Sequence, residues 1–474
     1  MSSEPWQMDA TDLALGIRTG RLSSREATQS CLARLRQVNP AINAVTRVLE
    51  AEALAEADAA DQARARGERL GALHGVPVTV KVNMDQAGCA TDNGVVALRD
   101  FIAPADGSVV RNLRLAGAVI IGRTNAPAFS MRGFSENELH GITRNPWNLE
   151  RTPGGSSGGA GAAVASGIGP IGLGNDIAGS VRWPAFCNGL VGLRPSIARV
   201  PAFNPSAPLT RPFTSTLMAV QGPLTRSVRD ARLAFQVLAE PDPRDYRAVA
   251  QPFDGEPPAR PLRVALVPNP KGSATSPAAA DAVRQAGRHL AAAGYRVEEV
   301  EPPELAAVAE LWHRIGIPDV IMALKPLIDE KGDTGIKRFI GFWLELRPPG
   351  GFADFLAAMT EREGHLFRWS AFLRDYPLIV MPGGVDTAPP VGLDVRDRAG
   401  AVEALNYIWF HLPAPVLGIP SLAVPVGSSQ GMPLGVQIMA ARNREDLCLA
   451  AGEVIEAFEG VRQPIDPRPS AARR

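Results

Sequence analysis

The sequence is poor in cysteine and has no net charge, and these two shortages exclude several classes of protein. Its 474 residues contain four cysteines, which form neither a CxxC pair nor the spacing of a metal site: Cys31, Cys89, Cys187 and Cys448. So few cysteines in a long chain favour free thiols in a reducing compartment over a disulfide framework. The 49 basic and 49 acidic residues balance, so no overall positive field would attract nucleic acid.

Long apolar segments are also missing. No stretch approaches the ~18 to 20 apolar residues that a membrane span needs, and the N-terminal MSSEPWQMDATDLA lacks the apolar run of a signal peptide. A hydrophobic fraction of 45% with 21% charged residues is typical of a soluble globular protein. We therefore expect a cytoplasmic protein with no membrane partner and no nucleic-acid partner.

Helical patterns occupy the first 70 residues, and strands alternate with helices after them. The periodicity predicts one helix that is capped by Ser24 and stops at Pro40, and a second helix from Val45 to Gly67. From residue 75 onward, the β-branched runs GVPVTVKVN and GAVIIGRTN predict strands on either side of a helix at GSVVRNLRLAG. This alternation indicates an α/β fold.

The remainder of the chain continues the alternation. Residues 200–260 are rich in proline and turns around one helix, LRVALVPNP predicts a strand, and residues 305–375 have helical and aromatic character. Late strands are predicted at YPLIVMPGG, PSLAVPVG and LGVQIMA, before a closing helix at REDLCLAAGEVIEAFEG. Because the chain contains no internal repeat and no long low-complexity linker, we expect one continuous fold.

One stretch concentrates glycine and serine, and residues 152–185 read TPGGSSGGAGAAVASGIGPIGLGNDIAGSVRWPA. A flexible linker is excluded, because the stretch continues into an apolar run that requires burial. A phosphate-binding loop is disfavoured, because the Gly-Lys-Ser/Thr ending is absent and GGAGAA matches a dinucleotide fingerprint only loosely. The stretch therefore favours serine chemistry.

Two serine hydrolase arrangements then compete. A G-x-S-x-G nucleophile elbow would centre on Ser156, but it needs a histidine, and the downstream histidines have no recognisable context: His289, His313, His365 and His411. In the other arrangement, the small residues Ala178 and Gly179 turn backbone N–H groups toward one point beside a Ser180 nucleophile. Lys81 ends the apolar run GVPVTV, where burial would favour a neutral amine that can serve as the base.

The segments around these residues resemble the amidase signature family of serine hydrolases. The resemblance is carried in order by GVPVTVKVN, GRTNAPAFS, TRNPWN, TPGGSSGGAGAAVASG, GLGNDIAGSVRWPA, GLVGLRPS and GPLTRSVRDA, and then by LGIPSLAVPVG and PLGVQIMA. It spans roughly residues 70–235 and 375–460.

The resemblance implies the amidase signature fold, a single large α/β domain over residues 5–465 with a mixed twisted central sheet covered by helices. Its expected parts are N-terminal helices over 1–70, a catalytic core over 70–235, a variable substrate-side region over 260–375, and closing strands and a helix over 375–460.

The family's site residues fall on matching positions of this chain. The resemblance places the catalytic lysine on Lys81, the bridging serine, which follows a cis peptide bond, on Ser156, and the nucleophile on Ser180, 24 positions later. Asp176 and Arg182 match positions that brace the site. The family's oxyanion-hole amides fall on Ile177, Ala178, Gly179 and Ser180.

Two positions depart from the family pattern. Neither departure removes a reacting atom, but both leave the shape of the substrate and the detail of the loops open. Val82 stands where an Asp often follows the catalytic lysine, and Ala178 replaces the first glycine of the usual Gly-Gly.

The aromatic cluster at 338–349 could belong to the core or to the pocket, and Ser157 could instead cap a helix. Substrate contacts are expected at Ser130, Met131 and Ser157.

The resemblance implies a hydrolase without metal or cofactor that cleaves a small-molecule carboxamide through a seryl acyl-enzyme, with aryl or hydrophobic acyl groups among the options. Carbamate or ester hydrolysis uses the same chemistry and stays open. From another class, an amidotransferase component that supplies ammonia within a complex also stays open. A silent relative that acts as a binding module is disfavoured by the intact triad. We expect a monomer or a homodimer.

Overall fold

A mixed eleven-stranded sheet forms the centre of the protein in the computed structural model, which describes residues 4–207 and 212–469. The strands are β1 (Val45–Val48), β2 (Pro77–Lys81), β3 (Val119–Thr124), β4 (Glu136–Asn137), β5 (Gly141–Ile142), β6 (Ile171–Asp176), β7 (Val191–Arg194), β8 (Val220–Thr225), β9 (Arg263–Leu266), β10 (Arg296–Glu299), β11 (Leu378–Pro382), β12 (Ser421–Ser429) and β13 (Met432–Ala440). The order in the sheet is β1-β3-β2-β6-β8-β7-β12-β13-β11-β9-β10, and β4 pairs with β5 separately.

Helices surround this sheet. They are α1 (Ala10–Arg18), α2 (Ser24–Ile42), α3 (Glu50–Ala65), α4 (Ser108–Leu115), α5 (Gly158–Ala165), α6 (Arg182–Asn188), α7 (Phe213–Met218), α8 (Val228–Leu238), α9 (Pro277–Ala292), α10 (Leu305–Asp319), α11 (Lys325–Lys331), α12 (Thr334–Leu346), α13 (Phe352–Asp375), α14 (Leu393–Arg396), α15 (Arg398–Ile408), α16 (Pro413–Leu417) and α17 (Glu445–Glu459). Single 3₁₀ turns occur at Pro5–Gln7, Val96–Leu98, Ala128–Ser130 and Trp409–His411, and a π-helical turn at Val320–Leu324 joins α10 to α11.

The predicted α/β class with a mixed sheet is confirmed. Strand β2 pairs in parallel with β3 and β6, whereas β6, β8, β7, β12, β13 and β11 follow one another in antiparallel pairs. The strands predicted at GVPVTVKVN, GAVIIGRTN and LRVALVPNP are β2, β3 and β9, and the late strands are β11, β12 and β13. The closing helix is α17.

Several local predictions were wrong. Helix α2 is capped by Ser23 instead of Ser24, because Ser23 and Glu26 form a reciprocal capping box, and the helix continues past Pro40 to Ile42. Residues 45–48 are not helical but pair with β3 at the edge of the sheet, because the β-branched Val45, Thr46 and Val48 favour a strand there. The region 200–260 contains α7 and β8 in addition to the one predicted helix, α8.

The parallel pairing of β2 with β6 positions the site. Val80 lies opposite Leu173 in the register, so both strands deliver their last residues to the same edge of the sheet. Those last residues are Lys81 on β2 and Asn175 and Asp176 on β6. Helix α5, made entirely of small or β-branched residues, is buried against these strands and brings the Gly/Ser segment to the same edge.

The cysteines are buried, unpaired thiols, as the spacing predicts. Within 4–207 and 212–469, no helix combines the length and apolar character that crossing a bilayer requires.

Candidate active site

Lys81 is completely buried at the end of β2. Its Nζ lies 2.7 Å from the hydroxyl oxygen of Ser156, 2.7 Å from Asn175 Oδ1 and 3.1 Å from the hydroxyl oxygen of Ser157. Burial lowers the pKa of Lys81 well below its usual range, against a weaker opposing effect of the Asp176 charge. Burial therefore favours the neutral amine, whose two N–H groups can donate to Asn175 and Ser157 while its lone pair accepts from the Ser156 hydroxyl.

The peptide bond between Gly155 and Ser156 is cis, as the resemblance implies. A Cβ atom on Gly155 would lie 2.6 Å from the backbone nitrogen of Phe134, so no side chain fits there. Ser156 is 1% exposed, and the hydrogen bond with Lys81 fixes the position of its hydroxyl. The turn before α5 therefore places Ser156 directly against the lysine.

Ser157 is fully buried beside Lys81. Its hydroxyl accepts from Lys81 and donates to the backbone carbonyl of Asn175 at 3.4 Å. It makes no cap hydrogen bond to α5; the Ser135 hydroxyl accepts from the Gly158 amide instead, at 3.0 Å. Neither the predicted helix-cap role nor a place in the substrate cavity matches this position.

Ser180 lies in the turn between β6 and α6, partly exposed, and lines a mainly apolar cavity. Its carbonyl accepts from the Ser157 amide at 3.2 Å, which joins the turn to the serine pair. No group in the described parts of the chain forms a hydrogen bond with the Ser180 hydroxyl, and the Ser156 hydroxyl is no exception. Catalytic hydrogen bonds often tighten only when substrate binds, so this hydroxyl is available to a ligand.

Backbone amides around Ser180 are also available. For the N–H groups of Ile177, Ala178 and Ser180, no acceptor exists within residues 4–207 and 212–469. The fourth predicted oxyanion donor differs, because the Gly179 amide donates to Asp176 Oδ1 at 2.9 Å. Gly179 has φ +104°, and a Cβ atom there would lie 2.6 Å from His411 Cβ, so this position requires glycine.

Asp176 stabilises the turn that contains Ser180 through buried ion pairs and a hydrogen bond from the Gly179 amide. Arg182 Nε and Arg194 Nη1 lie 3.0 and 3.4 Å from its carboxylate, and all three side chains are completely buried. Burial alone would raise the pKa of Asp176, but the two guanidinium groups hold it well below its usual range. The predicted bracing positions of Asp176 and Arg182 agree with this arrangement.

Two polar residues of the site were missed by sequence analysis. Asn175 binds Lys81, and Arg194 completes the ion pair with Asp176. Successive residues of a strand point to opposite faces, so Asn175 and Asp176 reach the lysine and the arginines respectively. Asn175 stands directly before Asp176 in the quoted segment GLGNDIAGSVRWPA, and this alternation was the available signal.

The cavity beyond Ser180 is mainly apolar and aromatic. Predicted contacts Ser130 and Met131 line it, and so do Phe339 and Trp343 of the aromatic cluster at 338–349, together with Trp312. Aliphatic side chains cover further wall area, and these are Ile177, Val320, Leu324, Leu405 and Ile408. Such a lining suits an aromatic or aliphatic acyl group.

One residue of the variable region, Trp312, was not expected at the site, and Trp343 lies in the cluster at 338–349 for which core and pocket were both open. Trp312 Nε1 donates to the carbonyl oxygen of Ile177 at 2.8 Å, and Trp343 Nε1 donates to His313 Nδ1 at 3.2 Å. The first contact joins helix α10 to the site, and the second joins α12 to α10. No local sequence pattern distinguishes these side chains from ordinary core aromatics.

Comparison with known proteins shows that the sequence and the fold are similar to those of amidases. The family model described as Amidase matches residues 26–449. The chain is 45% identical over 464 residues to an indoleacetamide hydrolase of Bradyrhizobium diazoefficiens, covering 96% of this chain and 87% of that protein. It is 33% identical over 485 residues to a glutamyl-tRNA(Gln) amidotransferase subunit of Moorella thermoacetica, covering 96% of this chain and 97% of that protein.

Among solved structures, 6-aminohexanoate cyclic dimer hydrolase complexed with substrate superposes with a TM-score of 0.81 at 28% identity, covering 98% of this chain and 99% of that chain. The buried Lys81, the serine after the cis bond, and a Ser180 whose hydroxyl has no partner among the described residues thus occur in a chain that the amidase model matches over residues 26–449. The chain belongs to the amidase family, in its amidase signature form, and is an enzyme that hydrolyses the carbon–nitrogen bond of small-molecule amides.

Proposed function

We propose that this enzyme hydrolyses a primary amide with a planar aromatic acyl group, such as an arylacetamide, through an ester formed on Ser180. The observation that carries the proposal is the free Ser180 hydroxyl at an aromatic-lined cavity, surrounded by amides without acceptors. Trp312, Phe339 and Trp343 offer ring faces and edges to an aromatic substrate. The relative at 45% identity, an indoleacetamide hydrolase, supports the same substrate class.

Acylation begins with neutral Lys81. Its Nζ takes the proton of the Ser156 hydroxyl while the Ser156 oxygen takes the proton of Ser180. The Ser180 oxygen then forms a bond to the amide carbon, and the carbonyl electrons move onto oxygen. This order is supported by the 2.7 Å contact between Lys81 and Ser156. Asn175 Oδ1 and the Ser157 hydroxyl oxygen accept the two N–H groups of the amine, which leaves its lone pair for the Ser156 hydroxyl.

The oxyanion accepts hydrogen bonds from the amides of Ile177, Ala178 and Ser180. When it collapses, the carbonyl reforms and the carbon–nitrogen bond breaks. The leaving nitrogen takes the proton that returns from Lys81 through Ser156, and ammonia departs. Water then attacks the ester, giving a proton to the same relay, and Ser180 recovers its proton as the acid leaves.

Carbamate and ester hydrolysis remain alternatives, because the same acyl-enzyme would serve all three and only the cavity discriminates. An amidotransferase role also has a specific observation in its favour, the 33% identity to an amidotransferase component. The apolar cavity disfavours an amidotransferase role, because a glutamine side chain is small and polar.

We further propose a single domain over 5–465 that works as a monomer or homodimer without metal or cofactor.

The test is a substrate panel with the purified enzyme. Ammonia release is measured from indole-3-acetamide, phenylacetamide, hexanamide and glutamine, and ethanol release is measured from ethyl carbamate and ethyl phenylacetate in parallel. We expect kcat/KM for the aryl amides to exceed that for hexanamide by about tenfold or more. Mass spectrometry should detect the acyl group on wild type and not on Ser180→Ala. A preference for glutamine, or for the carbamate or ester, would replace the proposal with that alternative.

A further inference from the structure

One side chain separates two cavities of the protein. His313, on helix α10, lines the catalytic cavity beside Trp312 and Trp343. It also lines a neighbouring pocket of about 250 Å³, formed by the later parts of α10 and α12 and the segment before α13. Of the residues that the structure describes, His313 is the one that the two linings share.

The imidazole is held firmly in this position. Trp343 Nε1 donates to Nδ1, and the Trp312 ring meets the imidazole edge-on, with ring centroids 5.3 Å apart and an interplanar angle of 85°. His313 is only 6% exposed. Because Nδ1 accepts a hydrogen bond, the proton of the neutral ring lies on Nε2. The ring therefore cannot swing aside without breaking its bond to Trp343.

The ring is also uncharged where the enzyme would work. Burial, with a smaller contribution from Arg347, lowers the pKa of His313 to about 3. A neutral ring can contact an apolar acyl group without the cost of removing an ion from water. His313 is thus compatible with the aromatic lining of the catalytic cavity.

We propose that His313 is a specificity-determining residue that closes the catalytic cavity toward the neighbouring pocket and limits the length of the acyl group. This inference rests on the proposed function, because it assumes that the acyl group occupies the cavity. An acyl chain that reached past Trp312 and Trp343 toward the pocket would need the space of the imidazole. Beyond the ring, Ile317 and Leu346 offer apolar surface to methylene groups. Charged side chains also line this pocket, and these are Glu310, Arg314, Arg347 and Asp354.

Two substitutions of His313 distinguish its role as the wall between the two cavities from its role as the hydrogen-bond acceptor of Trp343. His313→Asn retains an acceptor near the position of Nδ1 for Trp343 but removes the outer ring atoms, so the wall opens. His313→Phe keeps a ring of similar size but has no acceptor, so the wall stays closed while the bond is lost. If the Asn variant does not fold, as judged by thermal unfolding, His313→Ser takes its place.

The measurement is kcat/KM for phenylacetamide and for linear amides from hexanamide to tetradecanamide. We expect the ratio of decanamide to phenylacetamide to rise about tenfold or more in His313→Asn and to stay within about threefold of wild type in His313→Phe. An unchanged ratio in a folded Asn variant that still hydrolyses phenylacetamide overturns the inference, and so does an equal rise in both variants. Failure of the proposed function is distinct, because wild type would then release no ammonia from phenylacetamide.

Discussion

The indole Nε1 of Trp312 donates a hydrogen bond to the carbonyl oxygen of Ile177 at 2.8 Å, across 135 positions of sequence. In a trans peptide the C=O and N–H groups point in opposite directions. Holding the Ile177 carbonyl toward Trp312 therefore directs the Ala178 N–H the other way. A residue of the variable helical region thus orients one of the amides that we assign to the oxyanion.

This relationship predicts that Trp312→Phe lowers kcat more than it changes KM. The variant keeps the apolar surface of the cavity but loses the hydrogen bond, worth about 1 kcal/mol, so kcat should fall about fivefold. The control is Trp343→Phe, which removes an indole donor to His313 without touching Ile177. Steady-state kinetics with phenylacetamide compare the two variants. If Trp312→Phe and Trp343→Phe lower kcat equally, the hydrogen bond from Trp312 to Ile177 does not orient the Ala178 amide for catalysis.

The rate should follow the protonation state of Lys81. A free lysine has a pKa of about 10.4, and burial lowers the pKa of Lys81 in the folded enzyme. We expect kcat/KM to rise with pH through an apparent pKa below the free value and then level off. Lys81→Ala should be nearly inactive near neutrality and recover partly at high pH, where hydroxide replaces the base. Lys81→Arg cannot deprotonate and should be no better. An active Lys81→Arg enzyme would rule out the proton relay.

The same pKa shift makes a prediction about stability. Between the lowered pKa of folded Lys81 and about 10.4, the unfolded chain binds more protons than the folded one, so this residue makes stability rise with pH. Lys81→Met removes that contribution. The unfolding free energy of Lys81→Met minus that of wild type should therefore decrease between pH 7 and 9.5.

Urea unfolding at both pH values measures this difference. The lost hydrogen bonds of Lys81 affect both pH values equally, so only the titration remains in the comparison. Lys271→Met is the control, because the Lys271 side chain is 89% exposed. If the unfolding free energy of Lys81→Met minus that of wild type stays constant or increases with pH, the folded enzyme does not hold Lys81 as a neutral amine.

Ser156 should matter for turnover without being needed for folding. Ser156→Ala removes the hydroxyl that links Lys81 to Ser180 but leaves the backbone amides, so kcat should fall on the order of 10² or more at unchanged thermal stability. Ser157→Ala also removes a hydroxyl bonded to Lys81, and it should cost only about fivefold. Unchanged turnover in Ser156→Ala would remove this residue from the mechanism.

A fluorophosphonate locates the nucleophile independently. It should label a single peptide, the one that contains Ser180, in wild type and more slowly in Ser156→Ala. Peptide mapping by mass spectrometry reads the site. A label on Ser156 or Ser157 instead would indicate the nucleophile-elbow arrangement.

The burial of Lys81 and the turn at Ser180, which carry the groups that we assign to the reaction, could be predicted from sequence because each lies in a contiguous segment with its own local signals. The apolar run before Lys81 predicts a buried strand, and β2 is buried at every position. The small residues before Ser180 predict a turn with open amides, and Ile177 and Ala178 have them. These features depend on backbone geometry and burial over a few residues, which local sequence specifies.

The neighbours of those groups depend on packing between distant segments. Asn175 reaches Lys81 only because β6 runs parallel to β2, and the free Gly179 amide expected from sequence is taken by Asp176. In residues 305–375 the sequence indicates aromatic helices, but periodicity cannot tell a core ring from a cavity ring. Only the packing of α10 and α12 against the Ser180 turn brings Trp312 to Ile177 and His313 between two cavities, because those contacts join surfaces that no local pattern relates.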